Sequence, residues 1–225
     1  MGARAAREDA VTVEPPTSPR APRRRPASSP TPRPEQPELC VADAAAWRAW
    51  LEEHESTSDG VWLRLARKAA AADGGGPTTL VYAEALEEAL CSGWIDGQSR
   101  RGDERAYWQR FTPRRARSLW SVRNTVAVAR LAEAGRMRPR GTAEVERAQA
   151  DGRWDRAYAG PADMVVPDDL RAALDADPAV AAAFAAQPAQ DRYAACFRVV
   201  TAPSPAVRAR RVAAVVERLA APQGE

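Results

Sequence analysis

The pattern of apolar and polar positions divides the chain into a first segment without periodicity and a body with regular elements. Residues 1–37 carry nine of the 19 prolines and show no apolar periodicity. Such a segment cannot bury enough apolar surface to offset the entropy that is lost on ordering. We therefore predict a disordered Pro/Arg-rich tail over 1–37 with polyproline character. Residues 38–225 are enough to build a hydrophobic core.

The first half of the body alternates between strand and helix patterns. Trp47, Trp50, Leu51 and His54 share one helical face, whereas Val61, Leu63 and Leu65 alternate with polar or larger residues as in a half-buried strand. Strands are predicted at 38–41, 61–67, 95–101 and 105–111. Helices are predicted near 44–55, 81–92 and 142–152, and another runs from a cap at Ser118 or Ser121 to about residue 134. The stretch 69–77, with its triple glycine, is predicted to be a loop.

The last third of the chain is predicted to be helical. Asp177-Pro178 and Ser204-Pro205 each place a capping residue before a proline at the first helical position, and Pro188 is predicted to open another helix. Strands followed by helices favour an α+β fold with a small N-terminal mixed or antiparallel sheet, flanking helices and a helical C-terminal subdomain. We predict an α+β domain over 38–135 and the helical subdomain over 136–225.

Composition excludes several kinds of site. The chain has one histidine and three widely spaced cysteines, which argues against histidine-based catalysis, a disulfide framework and a thiolate zinc site. We therefore expect no catalytic residue, metal or cofactor.

No apolar run approaches the length of a membrane span, and no apolar stretch near the N-terminus resembles a signal peptide, so we expect a cytoplasmic protein. The net charge of +3 resides in the tail, which leaves the body neutral.

The segment 98–123 concentrates positive charge and aromatic rings. It holds eight arginines against Asp103 and Glu104, interleaved with four aromatic residues. Guanidinium groups bind phosphate or carboxylate, and aromatic faces stack on bases or sugars. An anion site or a nucleic-acid surface fits this pattern. A hairpin that points its aromatic residues inward and its arginines to solvent fits it as well.

Two further features flank this segment. Gly93 and Gly97 surround Asp96 and allow a sharp turn that fixes the carboxylate, which could orient an arginine, accept a proton or form a structural ion pair. Ser121 and Asn124 lie where a helix is predicted to begin, and the free backbone N–H groups there favour an anion. The same two residues are also explained by helix capping alone.

Two motifs with their spacing resemble the bacterial YdeI/OmpD-associated family, whose members are labelled bacteriocin-protection proteins. The motifs are Gly93-Trp94-Ile95-Asp96-Gly97 and Arg110-Phe111-Thr112-Pro113-Arg114-Arg115, followed by Ser118, Trp120, Ser121 and Asn124. The resemblance extends over most of 38–220. The chain departs from the family pattern at Val81, where a Thr or Ser cap is common, and at Ser92, where a larger apolar residue is common.

The resemblance implies a stress-response or bacteriocin-protection role, and we favour a non-enzymatic protein that binds an anionic small molecule or a protein partner near residues 94–124. The family name also implies an outer-membrane porin as a partner, which the expected cytoplasmic location argues against. Three alternatives stay open, namely a nucleic-acid-binding module that uses 98–123, a small enzyme with Asp96 as acid or base, and a purely structural or adaptor protein. The predicted ligand-binding residues are Trp94, Asp96, Arg110, Arg114, Arg115, Trp120, Ser121 and Asn124. The oligomeric state does not follow from the sequence.

Overall fold

The computed structural model describes residues 36–221, so the predicted tail lies outside the described residues except for Gln36 and Pro37. Four strands and nine helices are present over this range. The strands are β1 (Glu38–Leu39), β2 (Val61–Ala66), β3 (Trp94–Arg100) and β4 (Ala106–Pro113). The helices are α1 (Ala44–His54), α2 (Lys68–Asp73), α3 (Tyr82–Cys91), α4 (Val122–Glu133), α5 (Pro139–Ala150), α6 (Asp168–Asp175), α7 (Pro178–Ala186), α8 (Ala189–Val200) and α9 (Pro205–Ala220).

The strands form one mixed sheet in the order β1-β2-β4-β3. β1 runs parallel to β2, while β2 pairs with β4 and β4 with β3 in the antiparallel sense. The register between β3 and β4 shifts between Asp96 and Ser99, which is the signature of a β-bulge. With helices flanking and following this sheet, the predicted α+β class is confirmed.

One face of the sheet is buried against helices. Successive strand residues point to opposite faces, and Val61, Leu63 and Leu65 of β2 are all buried. Trp47 of α1 joins them, with its ring centre 5.8 Å from that of Phe111. This face therefore carries the first hydrophobic core, and the alternate residues of the same strands, such as Trp62, are directed to the other face.

Helix caps account for several boundaries that were predicted from the sequence. The side chains of Asp43, Ser121, Asp177 and Ser204 each accept a hydrogen bond from a backbone N–H in the first turn of the helix that follows. Such a bond satisfies one of the N–H groups that a helix start leaves unpaired. α1, α7 and α9 thus begin where the sequence placed them, and α4 follows Ser121, one of the two serines that the sequence offered as its cap.

Three helical features differ from the sequence interpretation. The predicted loop at 69–77 is wrong over its first part, because the alanine-rich residues of α2 form a helix that ends at Gly74 with φ of 65°. Alanine has the highest helix propensity. α5 begins at Pro139 rather than at Thr142. α6 lies in the region that was predicted to be helical, but the sequence did not give its bounds. α6 buries Leu170 and Leu174, a short stripe that its two turns make hard to recognise.

A second hydrophobic core forms between α6, α7, α8 and α9. It is built from Leu170, Leu174, Val180, Phe184, Ala195, Cys196, Val199, Val212, Val215 and Leu219. Ala148 of α5 belongs to the first core instead. The boundary predicted between residues 135 and 136 stays a prediction.

The two departures from the family pattern are accommodated locally. Val81 provides no side-chain cap, but its backbone N–H donates to Glu84 Oε2 at 3.3 Å. Ser92 is fully buried and accepts a hydrogen bond from Arg138 Nε at 2.8 Å. The guanidinium of Arg138 also binds Glu88, so the position at Ser92 connects the end of α3 to the start of α5. Within residues 36–221, no helix has the length and apolar character needed to cross a membrane.

Candidate anion-binding site

Asp96 lies on the buried face of the sheet, at the end of β3 that meets α3. The β3–β4 register pairs Asp96 with Phe111, and Asp96 Oδ2 accepts a hydrogen bond of 2.9 Å from the hydroxyl of Tyr82. Burial and the adjacent Asp96 raise the pKa of Tyr82, so this hydroxyl stays protonated at neutral pH. The sequence left open whether Asp96 orients an arginine, accepts a proton or forms an ion pair, and among the described residues its hydrogen-bond partner is a tyrosine.

Arg114 directly follows β4 and is the least usual residue of the region. Its exposed fraction is only 4%, and its guanidinium carbon lies 3.5 Å from the centre of the Trp120 ring. Nη1 donates to the carbonyl of Leu119 at 3.0 Å, while Nε and Nη2 have no hydrogen-bond partner among the described residues. Burial lowers the pKa of Arg114 to about 10, an effect that the nearby Glu144 and Asp96 partly oppose. The side chain is still a cation at neutral pH.

Arg153 and Glu144 extend this cluster from a different part of the chain. Arg153 is 8% exposed and Glu144 is 4% exposed, and both act electrostatically on Arg114. Arg153 Nη1 donates to the carbonyl of Ser118 at 2.7 Å. Arg153 Nη2, Trp120 Nε1 and Glu144 Oε2 have no partner in residues 36–221. Buried polar atoms normally find partners, so this group of unpaired atoms needs an explanation.

The start of α4 lies beside the cluster and is held by a short bridge. Ser121 pairs with Tyr158 as an isolated parallel bridge, in which the N–H of Val122 donates to the Tyr158 carbonyl at 2.9 Å. Ser121 Oγ accepts from the N–H of Asn124 at 3.2 Å, and Asn124 is buried. Capping therefore accounts for Ser121, as the simpler interpretation of the sequence required.

Three of the predicted site residues do not join the cluster. Trp94 is fully buried and donates from Nε1 to the Glu55 carbonyl at 3.2 Å, so it belongs to the core and forms no wall of the cluster. Arg110 alternates with Phe111 and therefore lies on the opposite face of the sheet from Asp96. Arg115 is exposed. The structure therefore does not bring Arg110 together with Asp96 and Arg114.

The structure thus brings Asp96, Arg114, Trp120, Ser121 and Asn124 into one region, and whether they bind a ligand stays a prediction. The unpaired donors of Arg114, Arg153 and Trp120 are suited to the oxygen atoms of an anion. No group of three or more His, Cys, Asp and Glu residues that could hold a metal ion occurs in the part of the chain that the structure describes.

Sequence reasoning did not identify Glu144, Arg153 or Tyr158. They lie 30 to 44 residues after Arg114 in the chain, and each occupies a segment whose local pattern is that of an ordinary helix or turn. The one local signal is Trp154, which follows Arg153 and packs on Trp120 with ring centres 4.9 Å apart. A tryptophan in an otherwise polar turn indicates a buried contact.

Comparison with known protein families separates the chain into two matched segments. Residues 39–144 match a family described as a domain of unknown function, DUF8412. Residues 163–221 match the family described as "Bacteriocin-protection, YdeI or OmpD-Associated". The second match supports the family predicted from the sequence over residues 163–221, and its predicted extent over most of 38–220 stays a prediction.

The two family matches cover different parts of the structure described above. The bacteriocin-protection match covers α6 to α9 with the second hydrophobic core. The motifs at 93–124 that suggested the family lie within the DUF8412 match instead. No curated protein and no solved structure matches the chain.

Proposed function

We propose that this chain is a non-enzymatic bacterial stress-response or bacteriocin-protection protein of the YdeI/OmpD-associated type that binds a small anion at Arg114. The family match at 163–221 supports the type of protein. One observation supports the anion, namely a guanidinium that is 4% exposed and leaves Nε and Nη2 without partners.

A buried cation is costly unless something compensates it. Removing a charged group from water carries a penalty of several kcal/mol, which a close counter-charge must offset. No carboxylate forms a salt bridge with Arg114 among the described residues. An anion that accepts hydrogen bonds from Nε and Nη2 supplies both the charge and the missing acceptor atoms.

The surroundings of Arg114 limit the charge of the ligand. The ring of Trp120 covers one face of the guanidinium. Arg153 forms an ion pair with Asp151 through Nε and has an unpaired Nη2. Asp96 and Glu144 place negative charge nearby and repel a polyanion. The site therefore suits a small oxyanion, such as a phosphate, a sulfate or a short carboxylate.

We also propose that the protein acts in the cytoplasm. Its three cysteines are all free, and Cys91 and Cys196 are buried. Free thiols are typical of a reducing compartment.

The direct test is isothermal titration calorimetry of the full chain with phosphate, sulfate and acetate. The informative variant is Arg114→Met, which removes the charge and keeps much of the volume. Arg115→Gln removes the charge of the exposed neighbouring residue and is the matched control. We expect one of the three anions to bind the wild-type chain and the control, and to lose at least tenfold in affinity, about 1.4 kcal/mol, in Arg114→Met.

A survival assay tests the biological part of the proposal. Sensitive bacteria that express the wild-type chain or Arg115→Gln should survive a bacteriocin challenge better than cells that express Arg114→Met. Equal binding by all three proteins, or the absence of binding by the wild type, would contradict the anion site. Equal protection by all three proteins, with binding lost only in Arg114→Met, would separate the anion site from the protective role.

A further inference from the structure

The other face of the sheet carries a surface of tryptophan and arginine side chains, which we call the Trp–Arg face. It consists of Trp62, Arg64, Arg100, Trp108 and Arg110. The register pairs Trp62 with Arg110 and Arg64 with Trp108 between β2 and β4, and Arg100 with Trp108 between β3 and β4. Directly paired residues share a face of the sheet, so these five side chains lie together, opposite the buried Leu63 and Phe111.

The guanidinium groups of this face lie against the indole rings. The guanidinium carbon of Arg100 is 4.7 Å from the ring centre of Trp62 and 5.1 Å from that of Trp108, and that of Arg64 is 5.2 Å from the Trp108 ring. All three distances fall within the range of about 6 Å for cation–π contacts. The contacts hold the flat groups in place before any partner arrives, which lowers the entropy cost of binding.

The Trp–Arg face keeps access to solvent. Trp62, Trp108, Arg64 and Arg110 are partly exposed, and Arg100 is exposed. The hydrophobic core lies on the other face of the sheet and does not explain why two tryptophans lie on the solvent-facing side. Together with the guanidinium groups that lie over them, they present a flat surface that a planar ligand can cover.

The charge around this face is positive. Glu38 and Asp103 pair with Arg100 and Arg64, respectively. Arg110 forms no salt bridge among the described residues and donates from Nε to Gln36 Oε1 at 2.6 Å. The sequence that precedes Gln36 holds seven arginines against four acidic residues. A polyanion complements this arrangement.

We propose that the Trp–Arg face binds single-stranded nucleic acid. Bases stack on the flat platform that the indole rings of Trp62 and Trp108 form with the guanidinium groups lying over them, and the phosphates contact Arg64, Arg100 and Arg110. A single strand is favoured over a duplex because stacking on this platform needs an exposed base face, which a duplex hides between its own base pairs. This surface is separate from the cluster around Arg114, so each proposal can fail without the other.

The test is fluorescence anisotropy of a labelled oligothymidylate titrated with the full chain at about 50 and about 200 mM salt. Arg110→Gln should weaken binding several-fold and lower the slope of log Kd against log salt by about 0.7, the value for one lost phosphate contact on a single strand. Arg210→Gln is the matched control, because it removes an equal charge from an exposed position of α9. It should leave both quantities unchanged.

A second pair of variants separates stacking from charge. Trp108→Leu should weaken binding by about tenfold, whereas Trp108→Phe should keep binding close to wild type, because stacking needs an aromatic face. Circular dichroism checks the fold, and Arg110→Gln carries the test by itself if Trp108→Leu does not fold. Absence of binding at low salt, equal affinity for a duplex of the same length, or equal losses in Arg110→Gln and Arg210→Gln would overturn the proposal.

Discussion

The guanidinium of Arg114 stacks on the ring of Trp120 at 3.5 Å while two of its nitrogen atoms remain without hydrogen-bond partners among the described residues. Stacking stabilises a guanidinium but does not satisfy its N–H groups, because those point outward in the plane of the group. The pair therefore fixes the orientation of a cation whose bonding capacity is only partly used. The anion-binding proposal rests on this relationship.

Arg114→Met should leave the free energy of unfolding unchanged or raise it when no anion is present. Replacing a buried charged group by an apolar side chain of similar volume is often neutral or stabilising. Arg114→Lys should be destabilising, because an ammonium group cannot stack on Trp120 and donate to Leu119 in the same way. Urea denaturation measures both effects. A loss of more than about 3 kcal/mol in Arg114→Met would indicate a guanidinium that the fold itself compensates.

Gly93→Ala should destabilise the protein by more than the matched change Gly135→Ala. Both glycines have positive φ, 69° and 65°, so both variants carry the cost of about 1 kcal/mol for a left-handed conformation. A Cβ at Gly93 would lie 2.8 Å from Glu144 Cγ, whereas a Cβ at Gly135 meets no atom within 4 Å. Thermal or urea unfolding of the two variants gives the comparison. Equal losses would show that Glu144 moves aside without cost.

Trp94→Ala should cost about 3 to 5 kcal/mol of stability, as expected for a large aromatic side chain in a core. The Trp94 ring packs edge-on against Trp47 and Trp50, and its Nε1 binds the Glu55 carbonyl. Trp94→Phe keeps part of the packing and should lose less. Anion affinity, measured calorimetrically on the folded Trp94→Phe variant, should match the wild type. If that variant lost anion affinity without losing stability, Trp94 would take part in ligand binding after all.

Tyr82→Phe should change how stability depends on pH above 10. Burial first, and Asp96 second, raise the pKa of Tyr82 in the folded state. Between the ordinary tyrosine pKa of about 10 and the raised value, only the unfolded chain loses this proton, so wild-type stability falls as the pH rises. The variant lacks this group and should show a flatter decline.

The matched control for Tyr82→Phe is Tyr193→Phe. Burial also raises the pKa of Tyr193, but its hydroxyl makes only a long bond of 3.4 Å to the Ala159 carbonyl and has no carboxylate partner among the described residues. Its removal should alter the alkaline slope less. The lowered pKa of Arg114 makes stability rise with pH in this range, which is opposite to the effect of Tyr82. Because Arg114 is present in both variants, its effect cancels in the comparison. Parallel curves for wild type and Tyr82→Phe would contradict the assignment.

Local patterns in the sequence were sufficient for most of the fold. Side-chain caps followed by apolar periodicity located α1, α4, α7 and α9, and alternation located β2 and the β3–β4 hairpin. α2 was missed because the glycines at 74–76 suggested a loop, although the alanines before them favour a helix. The bounds of α6 were not predicted because a helix of two turns with two buried leucines is too short for its apolar periodicity to be recognised.

The candidate site was harder to predict, because it depends on which face of a strand each residue occupies. Period-2 alternation separates Arg110 from Phe111, and hence from Asp96, which the arginine-rich composition of the segment obscured. The simple picture of aromatic residues inward and arginines outward also fails at Trp108, which shares a face with Arg110. The contribution of Arg153 depends on tertiary contacts that no local pattern contains.

The most direct test of the central claim is a crystal structure of the full chain soaked in selenate, with selenium located by its anomalous scattering. We expect an anomalous peak beside Arg114, with selenate oxygens at about 2.7 to 2.9 Å from Nε and Nη2, the usual length of a charge-assisted hydrogen bond. A structure in which a water molecule or the Glu144 carboxylate binds these two nitrogen atoms, with no selenium peak beside them, would contradict the anion site.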